Sequence, residues 1–416
     1  MKSFYRIVSS FIIIAAFNTA NADSIKWLHL IGEDSSQYPN MVRAVEEFEA
    51  KTGHTVVLQY VENESFKAKL PTMLQSNDRP DIFYSWSGGV MYDQARAGFL
   101  RDISNVVPDS YLDTVSAAAA DSFTFEGQRV GLPLQVSQVA WWYNKDLINQ
   151  AGVDVSQIKV WDDLISAVKQ IKAAGITPIC MGGKDKWPVH FLWTHLHIRN
   201  GGKGLFLESL NNGGWDRPEY IRSGEQMLEL VELEPFQKGW LAATWPDQAG
   251  FFGDGKCAMA LMGNWMYGSQ ASNSASGEGL ADSNMGMFNM PMTSGGIGDS
   301  GDTLGGINGW LFSSTASDAA VELMMHYVSL DIQKEDASNG AYIPIVKGAD
   351  GSLTNPFLQQ VAKNISNSEY HQIFYDQFLG ADIGRVVNDV STDLAAGIIS
   401  AEEATQAVQE AWEFNQ

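Results

Sequence analysis

Ser85-Trp86-Ser87-Gly88-Gly89 sets two hydroxyls beside a glycine pair, a place to look for a nucleophile. A nucleophile elbow needs glycine two residues before its serine, and Ser85 stands there instead. The glycine-rich run from Gly295 to Gly309 contains no Gly-Lys-Ser/Thr, so it is no phosphate-cradling P-loop. His195 and His197 stand two apart on a predicted helix, which points them to different faces. With no Cys pair and no His-Glu-x-x-His, a zinc site is not expected. Asp299 and Asp302 flank a loop glycine, but the full calcium-loop pattern is missing, so they read as solvated carboxylates. No metal or cofactor is expected, and the chain reads as a non-enzyme.

The aromatic residues carry more information. The chain holds 13 Trp, and aromatics make up 11% of it. A sugar has an apolar C–H face and a hydroxyl rim. A pocket for it needs indole or phenol rings for the face and carboxylates, amides or guanidinium groups for the rim. Trp86 ends a predicted strand and enters a Ser/Gly loop. Trp265 follows the predicted strand Cys257 to Met262 through Gly263-Asn264. Trp187 follows the predicted strand Thr177 to Met181 through a polar loop. Ligands of doubly wound sheets bind beyond the carboxyl ends of strands, where these three stand. Trp141, Trp142, Trp161 and Trp412 lie within predicted elements and read as structural.

The elements that position these residues alternate strand and helix. Ile25 to Ile31 and His54 to Val61 are rich in strand formers. Between them, Met41, Val45 and Phe48 fall at helical spacing, with Gly53 at the stop. Phe66 to Gln75 predicts a helix disturbed at Pro71, and Asp81 to Trp86 another strand. The alternation implies a mainly parallel, doubly wound sheet. It resumes after Pro133 with a strand over Val136 to Tyr143 and a helix over Trp161 to Ala174. Residues 268–306 read as loops around one strand, and the chain from Ala316 is largely helical. Ser400 with Glu403 three residues on predicts a capped final helix.

The chain has 416 residues and a formal net charge of −22, with hydrophobic residues at 45%. The length suits two lobes, and the hydrophobic content suits real cores. The acid excess argues against nucleic acid and against anionic membrane surfaces as partners. Residues 1–22 read as a secretory signal peptide: Lys2 and Arg6, an apolar stretch from Ile7 to Phe17, then Ala20-Asn21-Ala22. Cleavage after Ala22 leaves Asp23 first, with no cysteine before Cys180 to carry a lipid. The expected product is periplasmic, not a lipoprotein and not membrane-inserted. Cys180 and Cys257 lie in apolar surroundings and read as two buried thiols, with one disulfide as the alternative.

Five motifs in order resemble one family. Arg79-Pro80-Asp81-Ile82-Phe83 is followed by Ala97-Gly98-Phe99-Leu100-Arg101-Asp102-Ile103. Leu132-Pro133 precedes Tyr143-Asn144-Lys145, and Trp161-Asp162-Asp163-Leu164 opens a helix. Gly255-Lys256-Cys257-Ala258-Met259 leads to Gly263-Asn264-Trp265. The chain resembles the extracellular solute-binding proteins of ABC importers, in the sugar- and oligosaccharide-binding branch that includes maltose-binding protein. The resemblance implies an α/β, two-lobe periplasmic-binding-protein fold of the class II type. Each lobe would be a doubly wound sheet flanked by helices, with a hinge between lobes. The expected division is 23–132 plus about 291–306 in the N-terminal lobe, and 133–290 plus 307–416 in the C-terminal lobe. Hinge crossings are expected near Gly131–Gln135, Met287–Thr293 and Gly305–Trp310.

The resemblance also implies site residues. Trp86 and Trp265 would stack on opposite walls, and Glu33 and Asp34 would bind hydroxyls from the first strand–helix loop. Gln135 and Ser137 would contact ligand at the first crossover, and Trp187 and His190 from the second lobe. Gly306 and Asn308 lie by the third crossover, and Asp382 in the late helical region completes the set. Gly380-Ala381-Asp382-Ile383-Gly384 stands where maltose-binding protein has a late aromatic, and Ser137 where it has a carboxylate. Both departures weigh against maltose and leave the broader sugar class. The implied partners are a carbohydrate and the transmembrane subunits of an ABC permease, served by a monomer. The alternatives are a receptor for another solute on the same fold, an exported glycoside hydrolase with two facing carboxylates, or an adhesive protein without a closing cleft.

Overall fold

The computed structural model describes residues 23–416. The predicted signal peptide lies outside the described residues. The chain opens with β1 (Ser24–His29), α1 (Tyr38–Thr52), β2 (Thr55–Tyr60), α2 (Asn63–Gln75), β3 (Ile82–Ser85) and α3 (Gly89–Arg96). Pro39 sits in the first turn of α1, where its missing N–H costs nothing, and Gly53 closes that helix at φ 78°. β1 pairs in parallel with both β2 and β3.

Next come β4 (Gly131–Asn144), α4 (Trp161–Ala173), α5 (Trp187–Asn212), β5 (Met259–Gly263), β6 (Met285–Phe288) and β7 (Thr303–Phe312). The last part holds α6 (Asp318–Tyr327), α7 (Pro356–Asn367), β8 (His371–Ile373), α8 (Ala381–Ala395) and α9 (Ala401–Phe414). Ser400 and Glu403 form the predicted capping box of α9. β4 and β7 pair antiparallel, and β7 also pairs antiparallel with β3. β5 and β6 pair antiparallel with β4, and β8 runs parallel to β7. The sheet is therefore mixed where the alternation predicted mainly parallel strands, because the two long strands serve both halves of the molecule.

Two hydrophobic cores flank these long strands. Leu132 and Leu134 of β4 pack in the first core, and Val139, Trp141 and Trp142 in the second. Leu304 of β7 belongs to the second core, and Trp310 to Phe312 to the first. In the first core, Trp27 meets Trp310 and Tyr327 edge-on, each at 5.0 Å between centroids. Each fully buried aliphatic or aromatic side chain of this kind contributes about 1.5–3 kcal/mol. β4 passes from the first core to the second between Leu134 and Val139, at the end of the expected crossing Gly131–Gln135, and β7 passes between Leu304 and Trp310, across the stretch expected at Gly305–Trp310. β4 carries a register irregularity between Pro133 and Gln135 there.

The lobe division differs from expectation in two segments. The segment expected to return to the first lobe at 291–306 stays with the second. Buried Arg199 of α5 holds it there, donating to the carbonyls of Met290, Asp299 and Asp302. Met287–Thr293 is accordingly no crossing. Residues 310–349, expected in the second lobe, pack in the first core through Val321, Met324, Tyr327 and Tyr342. The third passage between cores falls within 350–373, where Leu358 and Val361 of α7 form a small cluster with Ile343 and Leu353.

Cys180 and Cys257 form a disulfide with a Cα–Cα distance of 5.5 Å, which corrects the thiol reading. The cause is local pairing. Ile179 bridges Met259, and the Cys180 N–H donates to the Met259 carbonyl at 2.8 Å. That brings the two cysteines within disulfide reach. The predicted strand at Thr177–Met181 exists only as these isolated bridges.

Candidate functional site

A cavity of about 290 Å³ opens between the two cores, where β4 and β7 cross. The first lobe lines it with Asn63, Lys67, Tyr84 and Trp86. The second lobe supplies Trp187, Phe191, Trp265, Phe374 and Asp376. Gln135, Ser137 and Asn308 form its floor from the crossing strands.

Local backbone explains how the indoles reach it. β3 ends at Ser85, and Ser87 then takes φ 59° before α3 begins. That sharp turn delivers Trp86, whose ring stands edge-on to Phe66 and Tyr84. Trp187 opens α5 after Lys186 at φ 62°, a backbone conformation that L side chains rarely adopt. Strain of this kind gathers at ligand clamps. Trp265 leaves β5 and packs within about 6 Å of Trp187, Phe191 and Phe374, giving the second wall an aromatic lining.

Across the cavity mouth the lobes touch. Glu64 of α2 accepts the indole N–H of Trp187 at 3.0 Å and pairs with Lys67 at 3.3 Å. The Lys67 ammonium lies 5.4 Å from the Trp86 ring centre and 5.5 Å from that of Trp187, within cation–π range of both. Farther out, Asp93 of α3 accepts the Ala381 N–H of α8 at 3.2 Å. At Gly89 any Cβ would collide with the backbone of Phe378 and Gly380, so glycine there permits the close approach of the lobes. These contacts describe a closed arrangement.

Among the described residues, Lys67 and Asp376 are the only charged side chains lining the cavity. Asp376 accepts from Gln377 and Asn388. Burial pushes the Tyr84 phenol up to about 12, while the Gln135 and Asn308 amides act against that rise. Among the described residues no group of three or more His, Cys, Asp or Glu side chains is arranged to hold a metal. The chemistry on offer is stacking on aromatic faces and hydrogen bonding from amides, hydroxyls and one carboxylate.

Six of the candidate residues meet at this cavity: Trp86, Gln135, Ser137, Trp187, Trp265 and Asn308. Five do not. Glu33 and Asp34 line a neighbouring hollow with His29, Tyr38 and Tyr60, and Gly32 is common to both. His190 is fully buried behind the wall, with Nε2 3.8 Å from an Asp376 oxygen, and burial lowers its pKa. Gly306 is buried in β7 and its N–H donates to Ser137 Oγ at 3.0 Å, so it joins strands instead of lining the cavity. Asp382 is exposed in the first turn of α8, and Asp376, six residues earlier, is the carboxylate that reaches the site. Sequence reasoning missed Lys67, Tyr84, Phe374 and Asp376. A signal existed for two of them. Asn63 and Lys67 are four apart on one helix face, and Tyr84 lies in the short strand that leads into Trp86.

The profile of the family described as bacterial extracellular solute-binding protein matches residues 32–335. The chain belongs to that family. An uncharacterized ABC transporter extracellular-binding protein of Pyrococcus horikoshii is 25% identical over 206 residues, 49% of this chain and 46% of its own. A multiple sugar-binding protein of Streptococcus mutans is 23% identical over 213 residues, 47% of each chain. The sn-glycerol-3-phosphate-binding periplasmic protein of Shigella flexneri is 33% identical over 145 residues, 34% of this chain and 30% of its own. The chain spans about half the length of the first two relatives in these matches. Two solved structures align at TM-score 0.85. One comes from work on xylan utilization by Caldanaerobius polysaccharolyticus, at 23% identity over 93% of this chain and 99% of that one. The other is a chitin oligosaccharide binding protein, at 22% identity over 94% and 98%. These structures show the two-lobe α/β fold of the family. Among the described residues no helix is long and apolar enough to cross a membrane.

Proposed function

We propose that this solute-binding protein captures a mono- or oligosaccharide between its lobes and delivers it to an ABC permease. The observation that carries the reading is the cavity itself. Indoles from both lobes face it, and amide and carboxylate groups supply a polar rim. That combination matches the two-sided chemistry of a sugar ring. Hinge closure would be driven by contacts available only when both lobes touch the ligand. On this reading the mature protein starts at Asp23, works in the periplasm as a monomer and carries no lipid.

Relatives named for sugars support the class. The relative named for sn-glycerol 3-phosphate raises a phosphate ligand as a second reading. A phosphate dianion calls for several cationic or N–H donors. Here Lys67 is the one cation at the cavity among the described residues, and Glu64 already pairs with it. Hydrolysis of a glycoside needs two carboxylates about 5–10 Å apart. Among the described residues Asp376 is the one carboxylate in the lining, which favours binding over turnover.

The test is a thermal-shift screen of the mature protein against mono- and oligosaccharides, with sn-glycerol 3-phosphate included. A ligand at a hundredfold its dissociation constant stabilises the folded state by about 2.7 kcal/mol. A shift with one saccharide series is the expected result. A shift with the phosphate alone, or with nothing at millimolar concentration, refutes the sugar reading.

A further inference from the structure

We infer that Glu64 is a positioning residue for solute capture, a latch between the lobes that slows ligand release without touching the ligand. The inference rests on the reading above that a saccharide is captured between the lobes. Glu64 lies in the first turn of α2 and is not part of the cavity lining. Its Oε1 nevertheless accepts from three side chains that are. The Trp187 indole N–H comes from the second lobe at 3.0 Å. The Lys67 ammonium stands at 3.3 Å, and the Asn63 amide donates from the preceding residue. One carboxylate oxygen thus gathers lining groups of both lobes, and hydrogen bonds to an ionised acceptor are the stronger kind.

Both ends of the interlobe bond are held within their own lobes. On the first, Glu62 caps α2, accepting the Glu64 N–H at 3.0 Å and the Ser65 N–H at 3.1 Å. On the second, the Trp187 ring packs against Phe191 at 5.4 Å and Trp245 at 5.9 Å between centroids. An indole has a single polar donor, and here that donor crosses to the other lobe. The bond forms only where the lobes meet, so it stabilises the closed arrangement and adds nothing to an open one. Its loss should leave ligand entry unchanged and speed ligand release. The same oxygen holds the Lys67 ammonium between the Trp86 and Trp187 rings, so Glu64 also sets where that cation stands.

The experiment compares the mature parent protein with Glu64→Ala, Glu64→Gln, Trp187→Phe and the double variant Glu64→Ala/Trp187→Phe. Stopped-flow tryptophan fluorescence reads association and release of D-galactose, maltose, cellobiose, xylobiose and N,N′-diacetylchitobiose. Glu64→Ala should release the saccharide that the parent binds about fivefold faster or more, with association within about twofold of the parent. Glu64→Gln keeps an acceptor for the indole and loses the charge, so its release rate should fall between those of the parent and Glu64→Ala. It also covers the case in which the alanine variant does not fold. Trp187→Phe keeps a ring and removes the donor, so in that background Glu64→Ala should speed release less than it does in the parent. A merely structural role for Glu64 would not produce that non-additivity. Release rates of Glu64→Ala and Glu64→Gln equal to the parent's, with the parent binding normally, overturn this inference alone. So does an effect of Glu64→Ala that is equally large with Trp187→Phe, or one confined to association. A parent that binds none of the five saccharides overturns the sugar reading and this inference with it.

Discussion

Replacing both Cys180 and Cys257 by alanine should lower stability by an amount set by the loop they close. The disulfide spans a sequence separation of 77 residues. In the chain-entropy account, closing a loop of that length restricts the unfolded chain by about 4.5 kcal/mol at 25 °C. Unfolding entropy of about 2.1 cal/mol/K per residue converts this, for the whole chain, to a fall of about 5 °C in Tm. Both sulfurs are fully buried in the second core, so alanine also removes packed volume and pushes in the same direction. The assay is calorimetric unfolding of the mature protein, of the double variant, and of the parent under reductant. The parent under reductant should approach the double variant. Equal melting temperatures for parent and variant would refute the reasoning. So would two free thiols titrated in denatured, unreduced parent protein.

Two further predictions come from the lobes and from the buried imidazoles. Gly89→Ala should leave each lobe folded but hold them apart, because the added methyl meets the Phe378–Gly380 backbone. Small-angle scattering with saturating ligand should then show a larger radius than the parent, and unchanged scattering and affinity would contradict this. Burial lowers His29 and His371 to about 4, and His195 and His197 to about 3. The folded state therefore binds fewer protons than the unfolded chain below about pH 6.5, so stability should fall as pH drops from there toward 4. Asp336, raised to about 6 by burial, works in the opposite direction over the same window. A urea midpoint that stays level from pH 6.5 to 4.5 would contradict the dominance of the four histidines.

Strand ends were the most legible feature of the sequence. Trp86, Trp187 and Trp265 each follow a strand-forming run through a small or polar loop, and they meet at one cavity. Lobe assignment was less legible, because it depends on partners far away in the chain. Nothing near 290–302 announces that Arg199 will collect its carbonyls. The register of the late segment was equally hidden. The helix at Ala381–Ala395 begins after Gly380, which leaves Asp382 outside and puts Asp376 against the cavity. A periodicity reading locates a helix but not which carboxylate precedes it into a cleft. The thiol reading of Cys180 and Cys257 fails for a similar reason, since the disulfide follows from the pairing of Ile179 with Met259.

The central claim is that indoles from both lobes hold a sugar in the interlobe cavity. Titration calorimetry of the parent protein, Trp86→Ala and Trp265→Ala against an oligosaccharide panel tests it most directly. The parent should bind at least one saccharide one-to-one. Each variant should lose about tenfold or more in affinity, with the unliganded Tm nearly unchanged. Affinity equal to the parent in both variants would contradict it.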